Sequence, residues 1–215
     1  MKVDTNKFRL QFITHGKTAD EILEQVASVL HGGGRWIQFR MKEIDNDSFI
    51  SIAKEIKKMT DKYDATFIIN DHVSVAKEIG ASGVHIGMND TSPAKAREIL
   101  GDSFIIGGTA NTLTTIKEIE QHVDYIGLGP YRYTSTKKNL SAILGLDGYK
   151  RIYDEWSGWQ QTPIVAIGGI EYNDLSPLLS SSIQGIAVSS SIIKSKTITK
   201  ETLKWIQKIS FTTIN

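Results

Sequence analysis

The sequence contains no cysteine in 215 residues. That excludes disulfides, a thiolate nucleophile and any zinc or iron–sulfur site built on thiolates. Net charge is also small, at +1 from 25 Lys+Arg against 24 Asp+Glu. A chain so balanced is not a general polyanion binder, so any anion recognition must be local. No stretch reaches the roughly 18 apolar residues that a membrane span needs. The opening segment, MKVDTNKFRLQFITHG, is interrupted by Arg9 and Gln11 and reads as neither signal peptide nor membrane anchor. Several fingerprints are lacking as well. No G-x-G-x-x-G follows the first apolar run, where His15-Gly16-Lys17-Thr18 stands instead. No P-loop or Ser-His-Asp arrangement is visible. His15, His31, His72 and His122 show no zinc-ligand spacing. A soluble, cytoplasmic enzyme is the class that remains.

What is present is an alternation of short apolar runs with amphipathic segments. The predicted strands are Phe8–Thr14, Trp36–Phe39, Thr66–Ile69, Gly83–Ile86, Phe104–Ile106, Tyr125–Leu128, Ile164–Ile167 and Ile186–Val188. Such runs suit a sheet covered on one face and packed inside on the other. Between them Ile22, Val26, Val29 and Leu30 share one helical face, and Phe49, Ile52, Ala53 and Ile56 another. Leu113, Ile116 and Ile119 form a third, and Leu203, Ile206 and Ile209 a fourth. Eight strand–helix units allow an open doubly wound sheet or a closed (β/α)8 TIM barrel. Their number and even spacing favour the barrel, as a single domain over 1–215. Pro130–Leu146, rich in Lys, Ser and Thr, is the longest polar connection and the candidate active-site loop. Trp156 and Trp159 are read as packing residues.

Active sites of TIM barrels lie at the carboxyl ends of the strands, so the residues following each predicted strand carry the functional reading. Gln38, Arg40 and Lys42 follow strand 2 with a period of two, which puts all three on one side of an extended segment. Asn70-Asp71 follows strand 3, and Gly87 and Asp90 follow strand 4. Gly107-Gly108-Thr109 follows strand 5, Thr134 to Lys138 lie beyond strand 6, and Gly168-Gly169 and Ser189-Ser190 close the series. The last two pairs suit a phosphate, with glycines that let backbone N–H groups approach and serines that add donors. Asp71 and Asp90, near Arg40, Lys42 and Lys137, suit a magnesium ion carrying a diphosphate. Taken singly, either aspartate reads more readily as a helix cap; the pair beside the cations favours magnesium. His85 within strand 4 reads more readily as a satisfied core histidine than as a catalytic group.

The ordered motifs make a stronger case. They are Gln38-x-Arg40-x-Lys42, Ile69-Asn70-Asp71, Gly83-Val84-His85-Ile86-Gly87-x-x-Asp90, Asp124-Tyr125-Ile126-Gly127-x-Gly129-Pro130, Thr134-Ser135-Thr136-Lys137-Lys138, Gly145-Leu146, Ala166-Ile167-Gly168-Gly169-Ile170 and Gly185-Ile186-Ala187-Val188. From about residue 8 to residue 195 the chain resembles the thiamin-phosphate synthase (thiamin-phosphate pyrophosphorylase) family. The resemblance implies a phosphate-binding TIM barrel. It also implies a transferase that condenses 4-amino-2-methyl-5-hydroxymethylpyrimidine diphosphate with a thiazole phosphate and releases pyrophosphate. By the same resemblance Gln38, Arg40, Lys42, Asn70, Thr109 and Lys137 bind the pyrimidine diphosphate, with Arg40, Lys42, Lys137 and Thr109 acting in catalysis. Asp71 and Asp90 hold Mg2+. Thr134, Ser135, Thr136, Gly169, Ser189 and Ser190 bind the thiazole phosphate. The implied partners are these small molecules; composition points to no nucleic acid and no membrane, and the sequence leaves oligomeric state open, a homodimer included.

The sequence departs from the family pattern at several points. Thr109-x-Asn111 stands for S-x-H, Gly107-Gly108 for a pair with an apolar second residue, Tyr131-Arg132-Tyr133 for an aromatic-proline stretch, and Ser189 for valine. Competing readings are a thiazole tautomerase-like isomerase, another phosphate-binding barrel enzyme, and an inactive phosphate-binding barrel. The tautomerase would need a proton-transfer histidine where Asn111 stands, and an amide is no general base near neutral pH.

Overall fold

The computed structural model describes residues 9–134, 142–156, 162–181 and 183–212. Eight parallel strands pair in sequence order, and β8 returns to β1 to close the barrel. They are β1 (Leu10–Ile13), β2 (Trp36–Phe39), β3 (Thr66–Asn70), β4 (Gly83–Ile86), β5 (Ile105–Ala110), β6 (Tyr125–Leu128), β7 (Ile164–Ile167) and β8 (Gly185–Val188). The helices are α1 (Ala19–His31), α2 (Asn46–Lys62), α3 (Val73–Glu78), α4 (Pro93–Leu100), α5 (Leu113–Ile119), α6 (Gly145–Glu155), α7 (Leu175–Leu179), α8 (Ser190–Ile193) and α9 (Ile198–Thr212). The closed (β/α)8 barrel read from the sequence is therefore the observed fold.

Side chains alternate between the two faces of each strand. Ile13, Trp36, Ile68, Ile105, Tyr125, Val165 and Ala187 point inward and make one buried cluster inside the barrel. The opposite faces pack beneath the helices, where Ile22, Val26, Val29 and Leu30 of α1 and Phe49, Ile52, Ala53 and Ile56 of α2 are all buried. Helix starts are fixed locally. Thr18 and Glu21 form a capping box at α1, and the Asp45 side chain accepts from the Ser48 N–H at α2.

Two expectations need correction. Strand β5 runs on to Ala110 and takes in Gly107-Gly108-Thr109, which the sequence reading placed after the strand. Glycine has poor strand propensity, but a Cβ on Gly107 would lie 2.5 Å from His85 Nδ1 and would also collide with the Tyr125 ring. The inward space at residue 107 is taken by those two side chains. On α9 the buried face is Thr202, Trp205 and Ile209, while Leu203 is 48% exposed. Both 202/205/209 and 203/206/209 are helix-compatible spacings, and the bulk of Trp205 decides between them. Phe8 and Trp159 lie outside the described residues, and Trp156 is buried, as expected of a packing residue.

Candidate active site

A cavity of ≈ 220 Å³ opens at the carboxyl rim. Gln38, Arg40, Lys42, Asn70, Asp71, Asp90, Thr109, Thr134, Gly169, Ser189 and Ser190 all line it, so the structure brings these expected positions together. Ser135, Thr136 and Lys137 lie outside the described residues.

On one side of the rim two carboxyl groups converge. The Asp71 N–H donates to the His85 carbonyl at 2.8 Å, carrying the β3–β4 pairing one residue beyond β3. Asp71 then takes a φ of 65°, a left-handed conformation that aspartate tolerates better than most residues. Its Oδ2 accepts a 2.5 Å hydrogen bond from Lys42 Nζ. Asp90 Oδ2 accepts from the Gly87 N–H at 3.1 Å. Burial pushes the Asp71 carboxyl upward, but hydrogen bonds with Lys42 and Asp90 outweigh it and hold that group below its ordinary value. Asp90 is held above its ordinary value by burial and then by the bond to, and charge of, Asp71. Two carboxyl groups in such contact are stable only with a proton or a cation between them.

Neither aspartate is a helix cap. The N-cap of α3 is His72, and that of α4 is Ser92, whose hydroxyl accepts from the Lys95 N–H. A Cβ on Gly87 would run into Asp90 Oδ2 and sit 3.8 Å from Asp71 Oδ1, so only glycine leaves this cleft open. Among the described residues no cluster of three or more His, Cys, Asp or Glu is present. Asp71 and Asp90 bring two carboxylates to this side of the cavity. That fits a hard divalent ion that completes its shell with phosphate oxygens and water.

On the other side, Gly168 and Gly169 take φ values of 95° and 66°. Successive N–H groups in such a turn form a concavity suited to an anion. Ser189 is the N-cap of α8, but its hydroxyl makes no capping bond. Its Oγ is buried without a hydrogen-bond partner among the described residues.

The loop after β6 rests on this turn. The Tyr131 N–H donates to the Ile167 carbonyl at 2.8 Å, and the Arg132 N–H to the Gly168 carbonyl at 2.9 Å. The Arg132 guanidinium donates to the Gly169 carbonyl and to both oxygens of Asp174, at 2.7 to 3.0 Å. At the far end of the loop the Leu144 and Gly145 N–H groups donate to the Pro130 and Tyr131 carbonyls. Asn111 Nδ2 donates to the Gly129 and Ala142 carbonyls at 2.9 and 2.8 Å. Two departures from the family pattern thus have structural work: Arg132 clamps the loop to the β7 turn, and Asn111 pins its neck. An amide engaged in this way is not a proton-transfer group, which counts against the isomerase reading.

Sequence reasoning missed the floor of the cavity. Gln38 Nε2 donates to Gln11 Oε1 at 3.0 Å, and Gln11 Nε2 donates to the Tyr125 hydroxyl at 3.1 Å. That hydroxyl lies 3.0 Å from His85 Nδ1, and His85 Nε2 lies 3.0 Å from Thr109 Oγ1. His85 is therefore satisfied, as the sequence suggested, but it also lines the cavity. The overlooked signal was Gln11, a polar residue at an inward position of an otherwise apolar strand.

The model of the family described as thiamine monophosphate synthase matches residues 10–192. This chain belongs to that family. Thiamine-phosphate synthase of Flavobacterium psychrophilum is 44% identical over 190 residues, covering 87% of this chain and 92% of the relative. That of Flavobacterium johnsoniae is 46% identical over 193 residues, covering 87% and 89%. The solved structure of thiamine phosphate pyrophosphorylase from Pyrococcus furiosus superposes with a TM-score of 0.81 at 30% identity, covering 95% of this chain and 98% of that one. The family is one of transferases, and the resemblance read from the ordered motifs is the family observed.

Proposed function

We propose that this chain condenses 4-amino-2-methyl-5-hydroxymethylpyrimidine diphosphate with thiazole phosphate to give thiamin phosphate and pyrophosphate. One observation carries the reading: the Asp71–Asp90 pair with its Lys42 and the Gly168–Gly169 turn line a single cavity. An acidic pair beside cations suits a metal-bound diphosphate, and a left-handed glycine pair suits a second phosphate. A reaction joining two phosphorylated substrates uses both.

In this proposal Gln38, Asn70 and Thr109 hold the pyrimidine. Arg40, Lys42 and Lys137 hold its diphosphate, and Asp71 and Asp90 hold magnesium. Thr134, Ser135, Thr136, Gly169, Ser189 and Ser190 hold the thiazole phosphate. When bound, magnesium supplies Lewis-acid stabilisation of negative charge on the diphosphate. The C–O bond to diphosphate breaks, and the pyrimidine-methyl cation is stabilised by its ring amino group. The thiazole nitrogen then attacks that carbon. Arg40, Lys42 and Lys137 stabilise charge that grows on the leaving group as the bond lengthens, where fixed cations act most strongly. The loop after β6 excludes water from the cation. No protein nucleophile is required.

The proposal includes a single domain over 1–215, action in the cytoplasm and assembly as a homodimer. Its support on location is that no described helix is long and apolar enough to cross a membrane. The test is to incubate purified protein with both substrates and magnesium. Thiamin phosphate and pyrophosphate should appear in equal amounts, and chelation by EDTA should abolish both. No thiamin phosphate, or undiminished formation under EDTA, would overturn the reading.

A further inference from the structure

The hydrogen bonds on the barrel floor form one uninterrupted path from Gln38 to Thr109, and both ends line the cavity. Between them lie Gln11, Tyr125 and His85, from three other strands. Every link constrains the next, because each group has a fixed stock of donors and acceptors. Gln11 donates to the Tyr125 oxygen, so the Tyr125 hydroxyl spends its own hydrogen on His85 Nδ1. Burial raises the Tyr125 phenol above its ordinary value, so it keeps that hydrogen. An accepting Nδ1 calls for the Nε2–H tautomer of His85, in which Nε2 donates to Thr109 Oγ1. Thr109 is then free to donate into the cavity. At the opposite end Gln38 turns its amide nitrogen toward Gln11, which leaves its carbonyl oxygen as the group for a ligand.

Read in the opposite sense, the same path has every bond reversed. Gln11 would donate to Gln38 and accept from Tyr125, His85 Nδ1–H would donate to Tyr125, and Thr109 would donate to His85. The cavity would then meet an amide donor at Gln38 and an acceptor at Thr109. The two ends cannot change independently.

We propose that Gln11, Tyr125 and His85 are positioning residues that hold Gln38 as acceptor and Thr109 as donor, selecting a ring with an exocyclic amino group beside an unprotonated nitrogen. A ring carrying an oxo group beside an N–H demands the reversed arrangement at both ends. This rests on the pyrimidine reading of the site and adds how the barrel tells an aminopyrimidine from its deaminated counterpart. Supporting geometry comes from the packing. The rings of Trp36 and Tyr125 meet edge to face at 5.0 Å, and His85 stacks on Tyr125 at 5.5 Å. Gly107 and Gly127 leave the room that the His85 ring occupies, since a Cβ on Gly127 would lie 2.9 Å from His85 Cε1.

The test begins with the unaltered protein. Nitrogen-15 NMR of the His85 imidazole, with magnesium and the 4-amino pyrimidine diphosphate bound, should show the Nε2–H tautomer. The Nδ1–H tautomer or the imidazolium in that complex would overturn the proposal. Affinities for the 4-amino diphosphate and its 4-oxo analogue are then compared in Tyr125→Phe and Gln11→Met. The wild type should favour the amino ring by about tenfold or more, the scale of one buried donor or acceptor left unpaired. Each variant should bring the ratio close to one, and the double variant should go no further. Weaker binding of both rings at an unchanged ratio would mean a merely structural role and would defeat the proposal. A wild type that binds neither ring would instead refute the pyrimidine reading on which it rests.

Discussion

Gly169 holds a φ of 66°, and a Cβ there would lie 2.8 and 2.9 Å from the carbonyl oxygens of Tyr133 and Arg132. Any side chain is strained by the backbone and also pushes the loop away. Gly169→Val is expected to weaken thiazole-phosphate binding by about tenfold or more, roughly 1.4 kcal/mol. Calorimetric titration checks this, and unaltered affinity would remove the turn from the phosphate site. At the acidic pair, Asp71→Asn removes one carboxylate of the proposed magnesium site and the charge that Lys42 meets. The magnesium needed for half-maximal rate should rise about 10- to 100-fold, the range seen when a metal's surroundings are disturbed. A rate curve that does not move along the magnesium axis would refute the metal assignment. These residues were legible in the sequence because chemistry-bearing side chains at strand ends leave a local trace. Tyr125 left none that pointed to a site, and Gln11 left only its polarity in an otherwise apolar strand. Their meaning depends on inward neighbours up to 114 positions away, which only barrel closure brings within hydrogen-bond reach.

Among the elements, the loop after β6 is held by the Arg132–Asp174 pair, whose Asp174 side chain is only 13% exposed. Burial pushes Asp174 upward, but bonds from Arg132 and the Glu171 N–H override it and hold the carboxyl below its usual value. A depressed folded-state value means the pair stabilises fully above the unfolded carboxylate range. The stabilisation is lost as pH falls through the folded value. Asp174→Asn should therefore lower the melting temperature at pH 7, with the difference from wild type shrinking in acid below about pH 4. Melting curves across pH would show it, and a constant difference would contradict the pairing. The elements themselves were legible wherever hydrophobic period and strand length agreed, as in α1, α2 and β2. The extension of β5 was not, because glycines erase the pattern at the place where two inward side chains need room. The register of α9 was also hidden, since two equally spaced faces compete and only the bulk of Trp205 settles which is buried.

Across the whole molecule, closure of the barrel makes the candidate site, since the residues lining it come from successive returns of the chain to one rim. Trp205 helps hold that closure from outside. It is buried to 1% exposure, donates to Glu201 at 2.9 Å and meets Tyr172 edge to face at 5.8 Å. Trp205→Ala should cost about 3–5 kcal/mol, the range for a large aromatic deleted from a core. At about 2–4 °C per kcal/mol for a chain of this size, calorimetry should record a drop of at least roughly 6 °C. A change within a degree or two would mean that α9 adds little to the barrel. Closure was legible in the number and spacing of the units, whereas the tethering of the loop to the β7 turn was not. That tether depends on Arg132 meeting Asp174, 42 residues on.

The account stands most directly on one ion lying between two carboxylates at the rim. Crystals grown with pyrophosphate and manganese in place of magnesium allow the ion to be found by its anomalous scattering. A peak bridging Asp71 and Asp90, with pyrophosphate oxygens completing its shell and Lys42 and Arg40 nearby, is the predicted result. Pyrophosphate bound at the rim with no peak at these carboxylates, or a peak elsewhere in the barrel, would contradict it.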